Sequence, residues 1–307
     1  MNDTAITTSG LTKKYGSIIA VNDVTLKIPK GSIFGLIGRN GAGKTTMLKM
    51  FAGLAYPTAG SFTINDTPYN NIVKEKKLKK IGVLIEEPGL NKGFNARDNL
   101  KFKALGLGIN VNEAHIDELL QFVGLNAAKM RKTKGYSLGM RQRLGIAMAL
   151  IGDPDILILD EPINGLDPQG IIEMRTLFHN LQAQGKTLII SSHLLSELSR
   201  IATHYAFIDH GKIVHEVTSA QLDGYQTSGL YLLKTNKNPQ AYELLHALDE
   251  KWELSPQGLV YSGEQPDLAK IVEILKQSDI SMLSFNAKAP DIEEIFMQYT
   301  DNQGEIL

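Results

Sequence analysis

The sequence predicts an α/β fold followed by a small α+β domain, on three observations. A glycine-rich run, Gly38-Arg39-Asn40-Gly41-Ala42-Gly43-Lys44-Thr45-Thr46, separates an apolar stretch at 32–37 that reads as a buried strand from a stretch at 46–51 that reads as a helix. A second apolar run, Ile156-Leu157-Ile158-Leu159, ends in two consecutive carboxylates, Asp160 and Glu161. From Leu230 onward, strand and helix patterns alternate in the order β-α-β-β-α-β.

The first run fits G-x-x-x-x-G-K-[ST], the loop that wraps the phosphates of a nucleotide. Glycines let the backbone curl with its N–H groups inward, at the positive end of the following helix. This makes Gly38, Asn40, Gly41, Ala42, Gly43, Lys44, Thr45 and Thr46 candidate phosphate-binding residues. Lys44 supplies a point charge to the β- and γ-phosphates of the nucleotide, and Thr45 is placed to offer its hydroxyl to Mg²⁺, a hard cation that takes oxygen ligands.

Successive strand residues point to opposite faces, so the two acids ending the second run can take different roles. Asp160 is assigned to the Mg²⁺ shell, through water, and Glu161 to polarising the attacking water in line with the γ-phosphate.

Between these two segments lies Tyr136-Ser137-Leu138-Gly139-Met140-Arg141-Gln142-Arg143, followed by an apolar helix of small and branched residues. Here the chain resembles the ATP-binding-cassette (ABC) ATPases, whose signature is usually LSGGQ. The resemblance continues in order through Gly165-Leu166-Asp167-Pro168, similar to the D-loop, and Ser191-Ser192-His193, similar to the switch-histidine strand. Tyr15 resembles the aromatic that stacks on adenine.

The resemblance spans about residues 5–217. It implies the P-loop NTPase cassette fold, a RecA-like core with an antiparallel β subdomain and a helical subdomain at about 88–150. It also implies that His193 reaches the γ-phosphate, that Ser137 and Gly139 serve ATP held by the opposite subunit, and that Asp167 contacts nucleotide. One chain owns one phosphate loop and one signature, without an internal repeat, so a complete site takes two cassettes, a copy of this chain or a second cassette protein, with the homodimer expected.

Two departures mark a branch. Ile81-Gly82-Val83-Leu84-Ile85-Glu86-Glu87-Pro88 places Glu86 where most cassettes carry the Q-loop glutamine, and the resemblance assigns it to Mg²⁺. The signature has Leu138 for the first glycine and Met140 for the glutamine; backbone N–H groups donate regardless of side chain. Together these look like the bacitracin-resistance and lantibiotic-immunity branch.

Composition agrees. At 307 residues and 43% hydrophobic, the chain can bury a large core. No segment approaches 18 uninterrupted apolar residues and residues 1–10 are polar, so neither direct membrane insertion nor a targeting segment is expected. The absence of cysteine excludes disulfides and thiolate chemistry and fits a reducing cytoplasm. The seven histidines show no zinc-ligand spacing.

The net charge of −1 hides an asymmetry: 26 basic against 19 acidic residues before Thr218, and 6 against 14 from Thr218 onward. The positive part suits polyphosphate, and the negative part argues against nucleic acid. The lysine-rich run at 74–80 reads as the solvated end of a helix.

The expected domains are 1–217, the cassette, and 218–307, an accessory α+β domain, with a boundary at 217–224 where the sequence turns to Ser, Gln and Gly. In the second domain, strands are expected at 230–235, 259–261 and 280–285 and around Leu254. Helices are expected at 239–249 with Tyr242, Leu245 and Leu248 on one face, at 268–275, and at 291–299 with the stripe Ile292, Ile295 and Phe296. The order suggests a ferredoxin-like domain, serving dimer contact, regulation or stability. In the helical subdomain, helices are expected at 96–107 and 112–124.

By resemblance, residues 86–95 receive the coupling helix of an integral membrane permease. The expected function is thus the ATPase subunit of an ABC transporter, held on the cytoplasmic face of the membrane through its permease, in the branch that exports antimicrobial peptides or similar amphiphiles. The alternative is a soluble cassette mechanoenzyme acting on ribosomes or DNA. Such relatives usually carry paired cassettes, coiled coils or zinc insertions, which this sequence does not show.

Overall fold

The structure, a computed structural model, describes residues 3–70, 80–226, 230–263 and 265–287. These pack as two compact units divided between Val217 and Thr218. The lysine-rich run from Lys74 to Lys79 and the helix expected at 291–299, with Ile292, Ile295 and Phe296, lie outside the described residues.

The first unit opens with β1 (Thr4–Tyr15) and β2 (Ile18–Pro29), a hairpin closed at Tyr15↔Ile18 over Gly16 at φ +59°. The chain then enters β3 (Ile33–Ile37), α1 (Lys44–Phe51), β4 (Ala59–Ile64), β5 (Thr67–Pro68) and β6 (Ile81–Leu84). β1, β2, β4 and β5 form a four-stranded antiparallel sheet in the order β2-β1-β4-β5, the β subdomain expected.

The helical segment holds α2 (Ala96–Leu107), α3 (Glu113–Phe122) and α4 (Leu138–Leu150). Each starts at a capping side chain: Asn95 accepts from Asp98 N–H at 2.9 Å, Asn112 from His115 N–H at 2.8 Å, and Ser137 from Met140 N–H at 3.2 Å. The capping is why α3 begins one residue after the expected start.

The chain continues through β7 (Ile156–Asp160), α5 (Pro168–Ala183), β8 (Thr187–Ser192), α6 (Leu195–Leu198), β9 (His204–Asp209) and β10 (Lys212–Thr218). The second sheet runs β10-β9-β3-β8-β7-β6, with β9, β3, β8, β7 and β6 parallel. β3, β7 and β8 are buried at every residue, which explains why 33–37, 156–159 and 188–190 within them are continuous apolar runs and not alternations. Because the strands are parallel and in register, with Asp160 opposite Ser191 and Ile37 opposite Ser192, their carboxyl ends share one edge. Ligands bind at that edge in open α/β sheets.

The second unit comprises α7 (Ser219–Gln226), β11 (Leu230–Thr235), α8 (Asn238–His246), β12 (Trp252–Ser255), β13 (Gly258–Ser262), α9 (Leu268–Gln277) and β14 (Met282–Ala287). Its four strands are antiparallel in the order β12-β13-β11-β14, the ferredoxin-like arrangement. Leu233, Leu245, Trp252, Leu259, Ile271 and Leu275 belong to its own core.

Two local expectations are corrected. α8 stops at His246, so Leu248 lies past its last turn and is 59% exposed instead of joining the Leu245 face. The last strand starts at Met282, because Asp279 turns the chain at φ +55° and leaves Ile280 in the core before pairing begins. At the expected boundary, 217–224, the chain enters α7, where Thr218 Oγ1 accepts from Gln221 N–H at 3.2 Å while Gln221 Oε1 accepts from Thr218 N–H at 2.8 Å, a capping box.

Gly82 lets α4 and β6 approach. A Cβ there would lie 2.5 Å from the Ala149 carbonyl oxygen and 2.8 Å from Leu157. Gly82→Ala is expected to destabilise the chain by about 1–3 kcal/mol, as overpacking does. At about 2–4 °C of melting temperature per kcal/mol, thermal denaturation should show it, and an unchanged transition would mean the helix can retreat without cost.

Candidate functional site

The loop 38–43 leaves β3 at the shared strand edge, and its glycines meet two different requirements. Gly41 and Gly43 adopt φ +84° and +112°. Gly38 and Gly43 are also sterically required, since a Cβ would lie 2.4 Å from the carbonyl oxygen of Ile208 in one case and of Ala20 in the other. The loop is anchored from below by Gly211 N–H, which donates to Ala42 O at 2.9 Å. α1 begins at Lys44 with no side-chain cap on its first N–H groups, and these point where an anion would be held. Asn40 is exposed on the loop and Thr46 half-buried in the first turn of α1.

Lys44 is buried, and its ammonium donates to Gly38 O at 2.6 Å and Arg39 O at 3.2 Å, with Glu161 Oε1 at 3.5 Å. The Thr45 hydroxyl donates to Asp160 Oδ2 at 2.9 Å, and the Ser191 hydroxyl donates to Asp160 Oδ1. Glu161 follows in the left-handed region, φ +49°, its N–H held by Ser191 Oγ at 3.0 Å. Strain of this kind persists where the surroundings over-determine it. The turn aims the carboxylate back over the loop, where His193 Nδ1 meets Oε2 at 2.8 Å and His193 N–H reaches the same oxygen at 3.4 Å. Since a carboxylate only accepts, Nδ1 donates the hydrogen bond to Glu161 and Nε2 is left for another partner.

The structure therefore brings together Lys44, Thr45, Asp160, Glu161 and His193. Glu86 is placed otherwise. Also left-handed at φ +64°, it directs its carboxylate to Lys49 Nζ at 2.7 Å instead of to Thr45 or Asp160. That hydrogen bond is the main reason the Lys49 ammonium titrates above the usual lysine range. Tyr15, at the end of β1, is 49% exposed, with Lys13 Nζ 4.8 Å from its ring centre.

A second group forms where α4 and α5 begin. Ser137 is the N-cap of α4, and Asp167 caps α5 by accepting from Gly170 N–H at 3.1 Å, ahead of Pro168 in the first turn. Gly139 and Gly165 flank the contact: a Cβ on Gly139 would lie 3.6 Å from Leu166, and one on Gly165 3.1 Å from Leu138. Among the described residues, no hydrogen bond or ion pair joins Ser137, Gly139 or Asp167 to the phosphate loop. α5 links the groups indirectly, since Glu173 pairs with Arg143 of α4 at 2.6 Å and Arg175 with Glu197 of α6, just past His193.

Sequence reasoning missed Ser191, Lys49 and Arg175 as site residues. Only Ser191 left a signal, a hydroxyl directly after the apolar run 188–190. Near Glu86, a cleft of about 480 Å³ opens between the core and α2, lined by Leu54, Ile85, Pro88, Phe102 and Leu107, with Phe102 63% exposed.

Comparison with known proteins finds the ABC transporter family model matching residues 21–164. The chain is 38% identical to the bacitracin transport ATP-binding protein BcrA of Bacillus licheniformis, over 96% of this chain and 97% of that protein. It is 46% identical to the lantibiotic transport ATP-binding protein SrtF of Streptococcus pyogenes, over 67% of this chain and 87% of that protein. Among solved structures it is similar to CbiO1 of Clostridium perfringens, part of an ABC transporter complex, at 25% identity and a TM-score of 0.65, covering 73% of this chain and 92% of that one. It is also similar to a bacterial ABC transporter cassette solved as a dimer, at 25% identity and a TM-score of 0.63, covering 70% and 98%.

Ser191 satisfies one group that would otherwise be orphaned, an Asp160 oxygen, and its hydroxyl shares the Glu161 N–H with its own backbone carbonyl. Ser191→Ala is expected to cost about 1–3 kcal/mol, the usual penalty for leaving a buried partner unpaired, and urea denaturation checks it. A loss below experimental error would mean that Asp160 finds another donor.

Proposed function

This chain belongs to the ABC transporter family as an ATP-binding cassette, and we propose that it energises a separately encoded membrane permease that exports an antimicrobial peptide, antibiotic or similar amphiphile. The observation that carries this reading is the Lys44–Glu161–His193 chain, set beside Thr45 and Asp160 at one strand edge, in a sequence alike over nearly its whole length to a bacitracin transport ATP-binding protein.

In this reading the loop N–H groups and Lys44 hold the β- and γ-phosphates, and Tyr15 stacks on adenine. Thr45 and Asp160 present oxygen donors only, which fits Mg²⁺; the bound ion would neutralise phosphate charge during transfer. Glu161 accepts the proton of the attacking water, and His193 fixes the orientation of its carboxylate while turning Nε2 toward the γ-phosphate. Ser137, Gly139 and Asp167 lie in a separate group, which suits completion of the site by a second copy, head to tail; a similar cassette has been solved as a dimer.

Among the described residues no helix is long and apolar enough to cross a membrane. The cleft beside Glu86, with exposed Phe102 and Leu54, suits a permease helix, which would hold the chain on the cytoplasmic face of the membrane. Relatives that match the whole chain carry transport names, and no observation favours action on ribosomes or DNA.

Glu161→Gln is expected to lower ATP turnover by about 10²–10⁴, the usual contribution of a positioned base, while nucleotide binding persists and the dimer is trapped. Unchanged turnover would remove Glu161 from the role of base. Lys44→Ala should lose most nucleotide affinity, measured by equilibrium binding, and normal affinity would overturn the loop assignment. Tagged Glu161→Gln chain isolated with ATP from solubilised membranes should carry a stoichiometric multi-span protein; recovery with ribosomal or DNA-repair proteins would overturn the transport reading.

A further inference from the structure

Glu86 adds a negative charge close to the place where a triphosphate would sit, and the chain supplies a cation for it. Two residues past β6, Glu86 takes the left-handed backbone conformation, uncommon for a side chain of its kind. Its carboxylate is met by Lys49 Nζ at 2.7 Å. Lys49 follows Thr45 by four residues on α1, so the two lie on one face a turn apart. Thr45 in turn donates to Asp160 at 2.9 Å. The Lys49 ammonium also feels Asp160 and Tyr15, though less than Glu86, which sets it among the groups that would surround a nucleotide.

Lys49 also lies in the last turn of α1, where any lysine offsets the helix dipole. That role alone would not depend on Glu86. The contact does: it joins residues 37 apart in sequence and fixes the carboxylate of a backbone turn that nothing else in its own segment holds by hydrogen bond among the described residues.

Given the reading of the loop as an MgATP site, we infer that Lys49 is a positioning residue for Glu86: its ammonium holds the carboxylate at the mouth of the site and cancels its charge, so that a glutamate can stand beside a triphosphate. The pair is neutral in the native chain. Lys49→Ala leaves a net negative charge, Glu86→Gln a net positive one, and the double variant is neutral again.

The test measures the affinity of the full chain for a fluorescent ATP analogue with Mg²⁺ at low salt, alongside amide exchange at residues 84–88. Lys49→Ala is expected to weaken binding about fivefold, as a unit charge about 10 Å from two net nucleotide charges in a high-dielectric setting would. Glu86→Gln should bind at least as well as the native chain. The double variant and Lys49→Arg should both return to within about twofold, the margin expected once the local charge is restored. Exchange at 84–88 should quicken in Lys49→Ala and not in Lys49→Arg.

A double variant as weak as Lys49→Ala would overturn the inference, because Lys49 would then act on nucleotide or through α1 by itself. Native affinity in Lys49→Ala would overturn it too. A native chain without MgATP affinity would overturn the nucleotide reading instead, and the exchange comparison would then decide by itself whether Lys49 holds Glu86.

Discussion

A charged carboxylate buried at the end of an apolar strand must find donors or the fold loses more than the strand contributes. Asp160 finds two, the hydroxyls of Thr45 and Ser191, and each comes from a different element. Satisfying that one charge fixes the first turn of α1 against the end of β7 and fixes the end of β8 beside both. The Ser191 hydroxyl then accepts from the Glu161 N–H, which sets the left-handed turn that aims Glu161 at Lys44 and His193. The chemistry of the edge thus follows from a requirement of burial.

α5 carries the geometry outward. Its N-cap, Asp167, sits beside the start of α4, and two residues on its length, Glu173 and Arg175, pair with Arg143 of α4 and Glu197 of α6. Both pairs are partly buried, so they are screened less than surface pairs and hold elements rather than merely decorate them. One helix thus meets both α4 and the segment that follows His193. This is the physical content of a site divided into two groups within one chain.

Much of this was legible in the sequence because the signals are local. The parallel strands are buried on both faces, so residues 33–37, 156–159 and 188–190 show as apolar runs, and the loop glycines show because no other residue fits them. The order of elements in the second unit was readable for the same reason. What escaped was set by distant partners. Lys49 looks like any helix-end lysine until Glu86 is brought to it, and Arg175 has no meaning before Glu197 is packed nearby. Leu248 shows the converse error: periodicity assigned it to the α8 face, but the helix had already ended.

The same contrast explains why Glu86 was read toward the metal and found on a lysine. α1 is eight residues long and carries Lys44, Thr45 and Lys49, each engaged with a different acid: Glu161, Asp160 and Glu86. Two of these acids leave β7 and one follows β6, adjacent strands of one sheet. A helix that meets three carboxylates must bring positive charge against them before it can attract a polyanion, and two lysines with the helix N-terminus, about +2.5 in all, offset most of it. Charge balance across α1, more than any single residue, is then the condition under which this strand edge can hold a nucleotide while keeping a glutamate where most cassettes have a neutral side chain.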